Sequence, residues 1–248
     1  MTSRRARRGA AILALCLGLG LPSVAGCGGS AHRSAAADEP SKRPAPPVVM
    51  FLGDSYTVGE RGALPETTYA PATARLLGWQ VIVGGRAGTG FVAHSAVGDA
   101  YLNLFEGQLG WRPAPDLLIV SGGHNDWRFP PAQVAAAANA VLERARQRWP
   151  GTRVVLMGPL WGSAPPPQKA VDIRDALKPL AARLQIPFID PIAEQWITGN
   201  RRNGTGNATL YIRKDGTHPN PAGHRYVAAR LAEDIKRLGL AHPVRGQG

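Results

Sequence analysis

A chain of 248 residues that is 44% hydrophobic and 19% charged has room for one α/β domain with a substantial core plus a leader or tail, and not for two full domains. Its 29 Lys and Arg against 17 Asp and Glu give a formal net charge of +12, which favours contact with anionic surfaces such as phospholipid headgroups and acidic envelope polymers. No basic helix and no basic stripe interleaved with aromatics occurs, so nucleic acid is not the expected partner, and two cysteines cannot build a disulfide framework.

The chain opens on Arg4, Arg5, Arg7 and Arg8 followed by an apolar run from Gly9 to Leu21. That run is shorter than the about 20 residues a membrane span needs, so residues 1–26 read as a secretory signal peptide. The next four residues, Val24-Ala25-Gly26-Cys27, resemble the lipobox of bacterial lipoproteins. The resemblance implies a diacylglyceryl thioether on Cys27, which becomes the new N-terminus and holds the protein on the extracytoplasmic face of the cell membrane. The other cysteine, Cys16, lies inside the apolar run and leaves none for the body of the chain. Export by the general or the twin-arginine route stays open. Residues 27–47 are rich in Gly, Ser, Ala and Pro without apolar periodicity and predict a disordered tether.

From Val48 onward, short apolar runs alternate with amphipathic segments: VVMFL, QVIV at Gln80, DLLIV at Asp116, RVVLM at Arg153 and IPFID at Ile186. Five such strands with helices between them predict a parallel sheet covered on both faces. The clearest helix is Pro131 to Trp149, with Val134, Ala138, Val141, Leu142 and Ala145 on one stripe and Pro150-Gly151 ending it. A last helix is expected from about Pro221 to Leu238. The domain spans 48–240, leaving 241–248 as a tail. The segment between Gly90 and Asp116 predicts at most a short helix, and the polar Thr198 to Arg213 loop a mobile rim.

Ligands of open parallel sheets bind beyond the carboxyl ends of the strands. There the chain places Gly53-Asp54-Ser55 after the first run, GGRAGTG from Gly84 after the second, SGGHND from Ser121 after the third, and DGTHPN from Asp215 before the last helix. A serine hydroxyl needs a base within hydrogen-bond reach, itself oriented by a third group. Asp215 and His218, three apart in a glycine-containing turn, can place a carboxylate beside an imidazole. Negative charge on a tetrahedral intermediate needs fixed donors, and Gly85 and Asn125 stand at suitable strand ends. His32 and His242 fall outside the domain, and His94 and His224 lack a nearby acidic partner. His124 has only Asp126 beside it, so His218 is the favoured base. GGRAGTG does not have the spacing or the following acidic residue of a dinucleotide loop. No His, Cys and carboxylate cluster shows metal-ligand spacing, so neither a metal nor a cofactor is expected.

These ordered blocks resemble the SGNH hydrolase superfamily, also called the GDSL esterase and lipase family, over roughly Val48 to Leu240. The resemblance implies a three-layer α/β/α sandwich of the flavodoxin-like kind. It implies a serine carboxylic ester hydrolase working through an acyl-enzyme, with Ser55 as nucleophile, His218 as base and Asp215 orienting it. The oxyanion hole falls on the Ser55 amide, the Gly85 amide and the Asn125 side chain, while Asp126 is structural. Tyr56 stands where the family name has leucine, and Val83 where an asparagine often precedes the block glycine. Tyr56, Arg86, Phe91, His124, Trp127, Arg128 and Trp161 are the candidate pocket walls. The expected substrate is an acylated sugar or a lipid with short acyl groups, and the expected state is a monomer. An acyltransferase of the same fold and a non-catalytic envelope-binding lipoprotein are the alternatives.

Overall fold

The computed structural model describes residues 45–60, 64–96 and 98–246. Residues 1–26, expected to be a signal peptide, Cys27 and nearly all of the expected tether lie outside the described residues. In chain order the elements are β1 (Val48–Gly53), α1 (Ser55–Val58), α2 (Tyr69–Leu77), β2 (Gln80–Gly85), α3 (Tyr101–Leu104), β3 (Leu117–Ser121), α4 (Pro131–Arg148), β4 (Arg153–Met157), α5 (Gln168–Arg183), β5 (Phe188–Ile189), α6 (Ala208–Tyr211) and α7 (Pro221–Arg237). The five strands pair in parallel in the order β2-β1-β3-β4-β5. The result is the expected three-layer α/β sandwich. Strand order reverses beside β1, so the residues after β1 sit at the topological switch point where such sheets leave a crevice.

Because side chains alternate across a strand, each strand feeds two cores. Val49, Phe51, Leu117, Ile119, Val155 and Met157 face Tyr69 and Leu77 of α2 and Val227, Leu231 and Ile235 of α7. Met50, Leu52, Leu118, Val120, Val154 and Leu156 face α3, α4 and α5, with Val134, Val141, Ile173 and Leu177 pressed against them. Strands buried on both faces need the unbroken apolar runs seen here. No helix among the described residues is long and apolar enough to cross a membrane.

The tail lies against the body instead of leaving it. The Trp79 indole donates to the Ala241 carbonyl at 2.7 Å, the Gly246 amide donates to Gly151 O at 2.9 Å, and Arg245 lies 3.7 Å from Asp116. The Thr198 to Arg213 loop is also braced where a mobile rim was expected. Asn207 accepts from the Thr198 amide at 2.8 Å and donates to the Trp196 carbonyl at 2.9 Å, and α6 follows directly.

His224 on α7 is buried, and among the described residues its Nδ1 has no partner. Burial first, then the neighbouring Arg213 and His218, pull its pKa down to about 4. The unfolded chain binds this proton near pH 6.5 while the folded one refuses it, so this site costs stability as pH falls from about 6.5 to 4. His224→Gln is expected to flatten that loss. Urea midpoints at pH 7 and 4.5 for variant and wild type read the difference, and the contributions of buried carboxylates cancel in the comparison.

Candidate active site

β1 carries the chain to the crevice and ends at Gly53. Asp54 then caps α1, its Oδ1 accepting from the Tyr56 amide at 3.0 Å, and Ser55 is the first helical residue. Ser55 is buried at 6% exposure, yet its Oγ lies 2.9 Å from His218 Nε2. His218 comes from the turn before α7, and its Nδ1 lies 2.8 Å from Asp215 Oδ2. With the Nδ1 proton on the Asp215 side, Nε2 is free to accept the serine proton. The turn holds the carboxylate as well: Asp215 Oδ1 accepts from the amides of Thr217 at 2.8 Å and His218 at 3.0 Å. Partial burial pushes the Asp215 carboxyl up, but the Thr217 amide and the His218 ring and amide outweigh it and hold it below the usual range. The geometry is that of a serine activated for nucleophilic attack.

Asn125, after β3, donates through Nδ2 to the Thr89 carbonyl at 2.8 Å and makes a long 3.5 Å contact to Asp54 Oδ2. It bridges the loop after β2 and the residue preceding Ser55. Asp126 is fully buried and gathers the amides of Phe91, Val92 and Ala93 at 2.8–2.9 Å. Gly90 completes this clamp, because a Cβ there would stand 2.3 Å from Asp126 Oδ2. Desolvation by burial, opposed by the Tyr56 amide and aided by the Asp126 charge, pushes the Asp54 carboxyl up to about 7.

Gly85 does not offer the amide expected of it. Its N–H donates to Gln108 Oε1 at 2.8 Å, and the residue packs so tightly on β1 that a Cβ would lie 1.8 Å from Gly53 O. Two further amides of this loop, those of Ala87 and Gly88, are open, and Gly88 is in the left-handed region at φ +78°. Among the described residues neither the Gly88 nor the Ser55 amide has a partner.

The expected pocket walls divide. Tyr56 is buried, and its hydroxyl donates to the Thr217 carbonyl at 2.7 Å, so it ties α1 to the Asp215–His218 turn and is not a wall. Phe91 is likewise core, its ring 5.0 Å from Tyr101. His124 does line the site. Its ring lies 5.1 Å from Tyr56 and 4.3 Å from Trp161, and Nδ1 lies 3.0 Å from the Leu160 carbonyl. Burial holds its pKa down at about 4, so it is a neutral wall. Arg86 pairs with Asp99 at 3.5 Å and rims an open cleft of about 450 Å³ with Val58, Gly59, Glu60, Ala87 and Ala96. Trp127 and Arg128 border a separate groove of about 270 Å³ with Lys169 and Asp172.

One residue was not singled out in the sequence. Glu60 Oε1 lies 2.9 Å from His218 Nδ1, while its Oε2 pairs with Arg213. Glu60, Asp215 and His218 thereby bring ligand atoms within 4.8 Å of one another, a cluster the sequence spacing did not suggest because the fold alone brings Glu60 there. Hydrogen bonds and ion pairs account for each of these atoms.

The model of the GDSL-like lipase/acylhydrolase family matches residues 51–226. The chain belongs to this family. As a GDSL-like acylhydrolase it is a carboxylic ester hydrolase. The GDSL lipase Rv0518 of Mycobacterium tuberculosis is 32% identical over 197 residues, covering 74% of this chain and 79% of its own. Among solved structures, the aryl esterase of M. smegmatis superposes with a TM-score of 0.56 at 21% identity over 77% of this chain and 99% of its own. A carbohydrate acetylesterase from Sinorhizobium meliloti gives 0.57 at 18% identity over 77% and 99%. At these identities the two structures speak for the fold of the GDSL domain.

Proposed function

We propose that this GDSL hydrolase is a serine esterase that removes short acyl groups from an envelope glycan or lipid through an acyl-enzyme. The observation that carries the reading is the unbroken relay from Ser55 Oγ through His218 to Asp215, at 2.9 and 2.8 Å. Ser55 Oγ bonds to the ester carbonyl carbon as its proton passes to His218 Nε2. The tetrahedral intermediate collapses, the C–O bond to the alcohol breaks, and His218 returns the proton to the departing oxygen. Water then repeats the sequence on the acyl-serine. The oxyanion is held by the Ser55 amide, the Asn125 side chain and the Gly88 amide. Gly88 takes the place expected of Gly85 because its N–H is open and Asn125 grips the neighbouring Thr89 carbonyl.

The short-acyl preference rests on the cleft beside α1, lined by the small residues Val58, Gly59, Ala87 and Ala96 together with the charged Glu60 and Arg86, which pair with Arg213 and Asp99 respectively. Its lining offers only small apolar side chains beside two charged ones, which suits a short acyl group. A glycan ester as substrate agrees with the aromatic pair His124 and Trp161 at the site and with the S. meliloti acetylesterase of similar fold. The lipobox-like VAGC motif supports an anchor on Cys27 at the extracytoplasmic membrane face.

The full-length chain, extracted from membranes with detergent, tests both parts. Acetyl nitrophenyl ester should turn over faster than palmitoyl, and the intact mass should carry a diacylglyceryl group. Faster palmitoyl turnover would indicate a lipase, and an unmodified mass would remove the anchor. A chain that labels with fluorophosphonate but barely hydrolyses would be a transferase awaiting its acceptor.

A further inference from the structure

The relay proposed above assigns one carboxylate to His218, but the structure brings two. Nδ1 lies 2.8 Å from Asp215 Oδ2 and 2.9 Å from Glu60 Oε1. The two come from opposite sides of the site. Asp215 belongs to the turn that carries His218, whereas Glu60 follows the C-cap of α1, where the Gly59 amide donates to Ser55 O at 2.9 Å. Glu60 is therefore attached to the nucleophile's element and reaches across to the base.

Its approach is held on both sides. Arg213 pairs with Glu60 Oε2, while Oε1 stands 2.9 Å from Nδ1 as an ion-pair contact, the hydrogen bond of Nδ1 being to Asp215. The Arg213 amide in turn donates to the His218 carbonyl at 2.8 Å, and Ile212 bridges Pro219 beside it. The cation that clamps Glu60 is thus fixed to the backbone of the histidine that Glu60 touches. An exposed ion pair with no other role would not require this anchoring. Asp215 also has reason for support, since its side chain is 38% exposed and solvent weakens its hold on a positive ring.

We propose that Glu60 is a second positioning carboxylate for His218, sharing the Nδ1 proton with Asp215 and opposing the imidazolium charge that develops as Ser55 loses its proton. In the structure Nδ1 hydrogen-bonds to Asp215 Oδ2 with Glu60 Oε1 beside it at 2.9 Å, and a small turn of the ring moves the N–H between the two carboxylates. Each then covers for loss of the other. The inference rests on the serine-esterase reading of the site.

The test is a double-mutant cycle on the full chain with nitrophenyl acetate, using E60Q, D215N and the pair together. E60Q is expected to lower kcat about 5-fold with KM unchanged, and E60D to recover part of the loss. D215N should cost about 10- to 100-fold, and the double variant at least about 10-fold more than the product of the two singles. A double variant equal to that product, or E60Q acting on KM alone, overturns the proposal. The low-field Nδ1 proton resonance of His218 in the resting protein gives a readout that needs no turnover. It should move in E60Q, and an unmoved resonance counts against the contact. If the wild type hydrolyses no ester, the serine-esterase reading fails while the resonance still decides the contact.

Discussion

Ser55→Ala is expected to abolish both ester turnover and fluorophosphonate labelling, with kcat falling on the order of 10⁴-fold or more. Without Oγ no acyl-enzyme forms, and the residual rate is that of water attacking an ester held by Asn125 and the open amides. The substitution removes one buried atom and leaves His218 Nε2 without its serine partner. Asp54 still caps α1 through the Tyr56 amide, and Tyr56 still holds the Thr217 carbonyl, so the fold stays intact. Circular dichroism and the thermal midpoint check this directly. A Ser55→Ala protein that is folded and still labels would place the nucleophile elsewhere.

Asn125→Ala is expected to lower kcat about 10²- to 10³-fold with little change in KM, because its donor strengthens as charge gathers on the carbonyl oxygen. A second consequence must be separated from the first. The same Nδ2 grips the Thr89 carbonyl at 2.8 Å, so removing it loosens the loop that carries Gly88. One lost hydrogen bond costs about 1 kcal/mol and lowers the midpoint by a few degrees at most. A large fall in kcat with a small thermal shift supports the oxyanion role. Loss of less than about 3-fold in kcat with the same thermal shift would make Asn125 a loop brace only.

The corrected assignments share a cause. In GGRAGTG several glycines compete for one role, and local pattern does not rank them. Gln108, in the π-helical segment Phe105–Gly110 that follows α3, occupies the Gly85 amide and leaves Gly88 open. Tyr56 follows the nucleophile and looked like a pocket wall. Its hydroxyl is instead spent on Thr217, from the turn of the base. Glu60 carries no sequence signal at all, since its meaning depends on which residues stand opposite α1.

By itself the sequence determined the strands, the long helices α4 and α7, the glycine-bearing turns and the pairing of Asp215 with His218. All of these rest on interactions within a few residues: apolar periodicity, capping, and a carboxylate three positions from its imidazole. Only the tertiary structure decided that Ser55 and His218 lie 2.9 Å apart, that Gly88 and not Gly85 presents a free amide, and that Glu60 reaches the same imidazole as Asp215. Those contacts join segments far apart in the chain, and they arise because the parallel sheet brings the ends of β1, β2 and β3 to one edge. Close packing there sets which donors meet which acceptors, and no local pattern encodes the outcome.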